Sequence, residues 1–564
     1  MSEALETPPD ERLGRWCRLA LLFVAIVLLL FTKDGPGSWA DGSRLATIQA
    51  IAEQGVLHID DTDYFWQGDK VWFEPHYYSH QPPMLALVGA LPYALLHHVL
   101  GFSITDPWSY RAITWVCVGL PLLLGLWSLA RLSRRAGMTD GAAALLVLAI
   151  FGASHVLPYA LVLNQHGAAA GWVAFALWLV VQRRTALAGF VLALATTIDL
   201  TAVFFALAVL IPVIATGARA FLGYAAGAVP ILALHFSINL GVAGDLRPFG
   251  LHLEAFEYPM SPFMLMNLTG SNAGDAAGSL ATYAQWALIG RSGVFSHHPW
   301  LLLLLAAAIA AVLRPGAARL GRSLGWAALL GSFGVLGYYL LQSRNLGGSS
   351  FGMRWFTVFM PALAIGASGW LGGIARRPGP YLGTLLALLL AVSTGTAVLG
   401  AKNPWMKFHW RYEHSPQGMV HDPTEPKPSP AEHLRKEWKR LALREPINRN
   451  EYDLTFRAIL SQYGKLYLGR AERMADAGAR EAWLQQGIDK LLEATLEMDR
   501  GREDGILRGV QTPMLAHFWL GKLYAAQGEL LEARRHYLAA KEIAPTWEPA
   551  NIALEALEQR LGAE

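Results

Sequence analysis

Arg15-Trp-Cys-Arg-Leu-Ala-Leu-Leu-Phe-Val-Ala-Ile-Val-Leu-Leu-Leu-Phe31, with the polar and aromatic stretch that follows it to Gln81, decides how the rest of the chain is read. A helix needs roughly 20 apolar residues to cross the hydrocarbon core of a bilayer. Arg12, Arg15 and Arg18 flank this run, and a small-x-small cleavage site is not clear behind it. It predicts a retained first transmembrane helix rather than a signal peptide. The positive-inside rule then puts the N-terminus in the cytoplasm and residues 32–81 outside.

Apolar runs of the same kind recur to Gly400: 83–100, 110–132, 141–163, 167–181, 186–215, 221–240, 299–313, 325–341, 355–371 and 381–399. They predict an all-α polytopic bundle of about 11–13 spans over residues 1–400. Its extracytoplasmic loops are 32–81, with a helical stretch from Ser43 to Gln54, and 241–296. The run 186–215 reads as two half-helices, because Thr196-Thr-Ile-Asp199 interrupts it. The basic breaks at 314–322 and Arg376-Arg377 read as cytoplasmic. Arg131-Leu-Ser-Arg-Arg135 fits that scheme only if residues 82–110 make no net crossing, or if the rule fails there.

Composition agrees, with 53% hydrophobic and 16% charged residues among 564. The net charge of +3 gives no reason to expect a nucleic-acid partner. Cys17 and Cys117 both lie in apolar segments without a CxxC or a His/Cys cluster, so neither a disulfide framework nor a thiolate metal site is implied.

Beyond Ala401 the apolar runs stop. Residues 401–450 form a Pro- and His-rich linker that becomes charged, and 451–564 read as a soluble helical domain. Leu520-Gly521, Tyr524, Gly528, Ala533, Tyr537, Ala540 and Pro545 fit the tetratricopeptide pattern, with His517 where Trp is usual. Two to three stacked hairpins are expected, and their groove suits a protein partner.

Four motifs in order carry a resemblance. They are Trp39-Ala-Asp41-Gly-Ser-Arg44; Tyr78-Ser-His-Gln81-Pro-Pro-Met84; Gly290-Arg-Ser-Gly-Val-Phe-Ser-His-His-Pro299; and Gly347-Gly-Ser-Ser-Phe-Gly-Met-Arg354-Trp. The order resembles the GT-C class of membrane glycosyltransferases, especially the protein O-mannosyltransferase and aminoarabinose transferase group (glycosyltransferase family 39-like). The resemblance implies a polyprenyl-phosphate sugar donor, an inverting transfer, and an acid opening the first loop, here Asp41. The group's Lys before Pro-Pro is replaced by Gln81.

A sugar that leaves a lipid phosphate as a hydroxyl attacks needs a carboxylate on the hydroxyl and cations on the phosphate. Asp41 is the expected carboxylate, although an N-cap for a helix starting near Ser43 would explain it without chemistry. Arg354 is the expected phosphate ligand, with Gln81, His80, Arg44 and Arg291 beside it. Asp60, Asp61 and Asp63, and the pair His297-His298, are candidates for the acceptor or for a divalent cation, the one cofactor contemplated. Asp199 and Asn164-Gln-His166 are costly in lipid and should face protein or a cavity. Membrane lipid is a further partner, and the lean loops suggest a bacterial inner membrane with active site and C-terminal domain extracytoplasmic. A lipid-linked sugar transporter or flippase, or a membrane-anchored repeat scaffold, are the rival readings.

Overall fold

The computed structural model describes residues 13–65, 69–73, 76–256, 280–290, 292–313, 319–342, 346–347, 350–375, 379–405, and, within 464–562, residues 464, 467–468, 471–472, 474, 476–503 and 513–562. The chain divides into two compact units, residues 1–252 with 269–422, and 253–268 with 423–564.

The first unit opens with α1 (Arg15–Phe31) and α2 (Trp39–Gln49), the latter continued by a π-helical turn, Ala50–Gln54. A hairpin of β1 (Lys70–Phe73) and β2 (His76–Ser79) pairs Lys70 with Ser79 and Phe73 with His76. Then come α3 (Met84–Leu100), α4 (Pro107–Thr114) and α5 (Leu120–Arg135), the last two joined by a π turn into one helix from Pro107 to Arg135. After these follow α6 (Asp140–Gly152), α7 (Val156–Ala160), α8 (Gln165–Val181), α9 (Thr185–Ile198), α10 (Val203–Ala208), α11 (Leu210–Thr216) and α12 (Ala218–Ala243). The unit closes with α13 (Leu280–Leu288), α14 (Val294–His297), α15 (Trp300–Leu313), α16 (Arg319–Gln342), α17 (Met360–Ala375) and α18 (Pro380–Lys402).

The protein is an all-α polytopic membrane protein. Among the described residues, five helices are both long and apolar enough to cross a membrane: 107–135, 218–243, 322–342, 354–373 and 381–402. Six further apolar helices are shorter. Lipid is as apolar as a leucine side chain, so these helices associate by close approach rather than by exclusion of water. The α9–α12 contact shows how close: a Cβ added at Gly227 would stand 1.8 Å from the Ala186 carbonyl oxygen, and one at Gly189 2.0 Å from that of Tyr224.

The expected break at Asp199 is present: α9 ends at Ile198, and a 3-10 turn, Leu200–Ala202, leads into α10. Asp199 and His166, at the start of α8, satisfy each other across 2.6 Å, both almost fully buried. Asn164 caps α8 by accepting from the amides of His166 and Gly167.

Three contacts resolve the direction of residues 82–110. The Trp16 amide donates to Asp140 Oδ2 at 2.7 Å, so α6 starts beside the start of α1. Arg111 pairs with Asp34, and Trp115 Nε1 donates to the Leu28 carbonyl at 3.1 Å, so the helix 107–135 starts beside the end of α1. That helix therefore returns the chain to the face where α1 began, and α3 adds no net crossing. The apolar run 83–100 instead packs on the first-loop helix: Tyr93 OH donates to Glu53, and His98 Nε2 meets the Ala52 carbonyl at 3.0 Å. Arg131, Arg134 and Arg135 thus share a face with Arg15 and Arg18, as the positive-inside rule requires.

In the second unit, α19 (Ala477–Glu503), α20 (Pro513–Gln527), α21 (Leu530–Ile543) and α22 (Glu548–Leu561) pack each on the next. Gly528, at φ +95, makes the turn between α20 and α21. A Cβ on Gly521 would stand 2.5 Å from the Tyr537 ring, so the helices of that hairpin meet where the small and aromatic pattern positions meet.

Candidate active site

The site is built around the start of α2. Ser38, not Asp41, is the N-cap, its Oγ accepting from the Asp41 amide at 3.2 Å. The helix begins four residues before the expected Ser43, which places Asp41 in its first turn. The capping explanation of Asp41 therefore gives way, and its carboxylate turns inward.

Asp41 is 0% exposed. Its Oδ2 accepts from the Gly37 amide at 3.4 Å and from Tyr110 OH at 3.3 Å. Its Oδ1 stands 3.7 Å from Arg44 Nη1 and has no hydrogen-bond partner among the described residues. Burial pushes the Asp41 carboxyl up to about 6, against the opposing pull of Arg44, Gly37, Ser38 and Arg354. Arg44, one turn on, is equally buried, and desolvation brings it down to about 10, still charged at neutral pH.

Arg44 is fixed on three acceptors: the Ala40 carbonyl at 3.1 Å, the Leu163 carbonyl at 3.2 Å and Gln81 Oε1 at 2.7 Å. Gln81 is thus the acceptor that holds a buried guanidinium. Its amide nitrogen meets His80 Nε2 at 2.8 Å, and Asp69 Oδ2 lies 3.5 Å away. The Ser43 and Ser79 hydroxyls join α2 to the end of β2, so the hairpin delivers His80 and Gln81 to Arg44.

The Gly-rich loop closes the site from the other end of the sequence. Gly352 adopts φ +61, and a Cβ there would stand 2.2 Å from His155 Nε2, so only glycine fits. Tyr159 OH donates to the Phe351 carbonyl at 2.7 Å, and the Phe351 amide donates to that of Pro404 at 2.9 Å. Trp405 then stacks under the Arg354 guanidinium, whose carbon stands 5.1 Å from the ring centroid. A Cβ on Gly37 would stand 2.2 Å from Trp405, which places the Arg354 support against the residue that donates to Asp41. Arg354 is close enough for its charge to act on Asp41, Arg44 and His80, and its Nε is buried without a partner among the described residues.

Asp41, Arg44, His80, Gln81 and Arg354 are therefore brought together. The other candidates are not gathered with them. Asp60 takes His76 and the Tyr77 amide, Asp63 takes Gln49, and Asp61 is exposed, so the three acids do not act as one cluster. His297 and His298 pack with His155 and Phe351, and burial with the nearby His297 holds His298 near pKa 3. Arg291 lies outside the described residues.

A groove of about 620 Å³ runs between α1, α6 and α18, lined by Phe23, Val27, Leu148, Leu157, Leu161 and Val398 among others, with Lys33 and Lys402 at one end. Lys33 Nζ donates to the Lys402 carbonyl at 2.9 Å. Leu161 lines the groove, and two residues later Leu163 donates its amide to Tyr110 OH and accepts from Arg44, so one strand of chain separates groove and site. Tyr110, Trp405 and Tyr159 carry no motif, and nothing in the sequence marks them.

The arrangement is that of a helical membrane protein with a buried acid one helical turn from a buried arginine and within the field of a second. No protein-family model matches the chain, and no curated protein does. Among solved structures it is similar to ArnT from Cupriavidus metallidurans, both apo and bound to undecaprenyl phosphate, at 15% identity and TM-score 0.42 over 93% of this chain and 79% of that one. It is also similar to the Archaeoglobus fulgidus oligosaccharyltransferase, at 13% identity and TM-score 0.40 over 78% of this chain and 56% of that one.

Proposed function

We propose that the chain is a membrane glycosyltransferase of GT-C type that moves a sugar from a polyprenyl-phosphate donor to an extracytoplasmic acceptor. The observation that carries this reading is Asp41 Oδ1, buried without a hydrogen bond among the described residues, 3.7 Å from Arg44 and within reach of the Arg354 charge. An unsatisfied carboxylate oxygen in such a place costs the fold free energy, which a substrate hydroxyl would offset.

Asp41 orients the acceptor hydroxyl and takes its proton as the oxygen attacks the anomeric carbon. The bond from that carbon to the phosphate oxygen breaks, and the lipid phosphate leaves with the electron pair. Arg354 receives the charge that grows on the phosphate, its free Nε and planar fork suiting an oxyanion. Arg44, tied to Gln81 and two carbonyls, adds a fixed positive field that costs no reorganisation during the reaction. The apolar groove suits the prenyl chain, with Lys33 and Lys402 near the headgroup. The resemblance that the four motifs carry implies the same donor class and an inverting outcome.

The test is transfer from a panel of polyprenyl-phosphate monosaccharides by protein in nanodiscs, with Arg354→Ala beside wild type. Turnover that falls at least tenfold in a folded Arg354→Ala variant is expected. Absence of both turnover and donor binding across the panel overturns the proposal.

A further inference from the structure

At the end of β2 opposite Ser79, three residues outside the site just described converge. His76 Nδ1 stands 2.8 Å and His58 Nδ1 3.2 Å from the same oxygen of Asp60, Oδ2. The two imidazoles stack with centroids 4.0 Å apart and 9° between planes, and because imidazole binds an ion through a lone pair in its own plane, one ring must turn about its side-chain bonds when an ion binds. All three donor atoms lie within 4.8 Å of one another.

We propose that His58, Asp60 and His76 form a binding site for one divalent transition-metal ion of the Zn²⁺ class, through His58 Nδ1, Asp60 Oδ2 and His76 Nδ1. Two observations beyond proximity carry the proposal. First, His58 Nδ1 is buried 3.2 Å from Oδ2 and makes no hydrogen bond among the described residues, because the two atoms are out of line for one. Ligands that share an ion have that relation: with bonds of about 2.1 Å in tetrahedral geometry, donor atoms lie about 3.4 Å apart without pointing at each other. Second, the carboxylate is already oriented, since Asp60 Oδ1 accepts from the Tyr77 amide at 3.0 Å. An outer hydrogen bond of this kind holds a ligating carboxylate in place.

The donor set decides the class of ion. Two imidazole nitrogens and one carboxylate oxygen suit Zn²⁺ and its neighbours, whereas Ca²⁺ and Mg²⁺ require mostly oxygen ligands. Three protein ligands leave a fourth position for water, and His76, 41% exposed, leaves an entry path. A bound ion joins the turn at His58 to the start of β2, and β2 leads directly into His80 and Gln81. The ion therefore fastens the hairpin that holds Arg44 in place.

The experiment uses the full chain in nanodiscs, stripped with a chelator and titrated with Zn²⁺, Co²⁺ or Mg²⁺ alone. Wild type is expected to retain one more equivalent of Zn²⁺ than His58→Ala/His76→Ala or Asp60→Asn, the remaining histidines serving as a common background. Residual binding at the altered site should weaken about tenfold or more. Mg²⁺ should not substitute. Equal binding by wild type and folded variants overturns the proposal. If the variants do not fold, wild type decides: Zn²⁺ should protect His58 and His76 from diethyl pyrocarbonate, read residue by residue by mass spectrometry, and unchanged labelling overturns it.

Discussion

Replacing Asp41 with Asn should raise the stability of the protein while removing its activity, two effects of opposite sign from one atom pair. The folded carboxyl titrates at about 6 against an ordinary 3.8, because burial outweighs the pull of Arg44. A group whose folded pKa is raised binds more protons folded than unfolded between those two values, so stability falls as pH rises through that window. Each pH unit by which the folded value exceeds the ordinary one is worth about 1.36 kcal/mol, so at pH 7.5 the ionised Asp41 costs the fold about 3 kcal/mol. Asn imitates the protonated form, so the melting temperature of Asp41→Asn should exceed that of wild type at pH 7.5. The gain should shrink towards pH 4.

The same value sets the rate profile of wild type. A group with pKa about 6 is roughly 90% ionised at pH 7 and 10% at pH 5, so kcat/KM should fall about tenfold over that range. A polyprenyl-phosphate sugar is a phosphodiester and does not titrate there. The assay is initial-rate transfer in nanodiscs at fixed ionic strength, with nanoscale thermal unfolding of the same samples. A flat profile between pH 5 and 7, or an Asp41→Asn variant that transfers sugar at the wild-type rate, would refute the reasoning. A variant that loses activity together with stability would refute the burial argument.

Gln81→Lys should abolish transfer, because an ammonium would replace the oxygen that now stands 2.7 Å from Arg44 Nη2; Gln81→Leu should lower stability by about 1–3 kcal/mol through the unpaired donor, and thermal unfolding separates the two. Gly37→Ala should reduce transfer with little change in secondary structure by circular dichroism, since its methyl group would stand 2.2 Å from the Trp405 ring that supports Arg354. Asp199→Ala should destabilise the bundle by about 1–3 kcal/mol, because it leaves the buried His166 Nδ1 without its partner, and a melting temperature equal to that of wild type would show that the pair contributes nothing.

Much of the site was legible because each motif is short. Asp41 and Arg44 sit one turn apart on a single helix, and Arg354 follows two glycines that only a turn requires. Other members were invisible because they meet across the chain. Tyr110 reaches Asp41 over 69 positions, and Trp405 comes beneath Arg354 only because the end of α18 returns to the Gly-rich loop. Nothing in the sequence marked His58 and His76, eighteen positions apart, as neighbours on Asp60; the β1–β2 hairpin places them there.

The sequence by itself determined that this is a membrane protein of many helices, since partition into a bilayer depends on summed apolarity over one segment and on no partner. It also located the break at Asp199, because an acid inside an apolar run must find protein. Only the tertiary structure decided that the equally apolar run 83–100 adds no net crossing. Its face packs on the first-loop helix, through Tyr93 with Glu53 and His98 with Ala52, and hydropathy does not distinguish burial against protein from burial in lipid. The same is true of Asp41, where sequence allowed a helix cap and packing assigned the cap to Ser38, leaving the carboxylate buried beside Arg44.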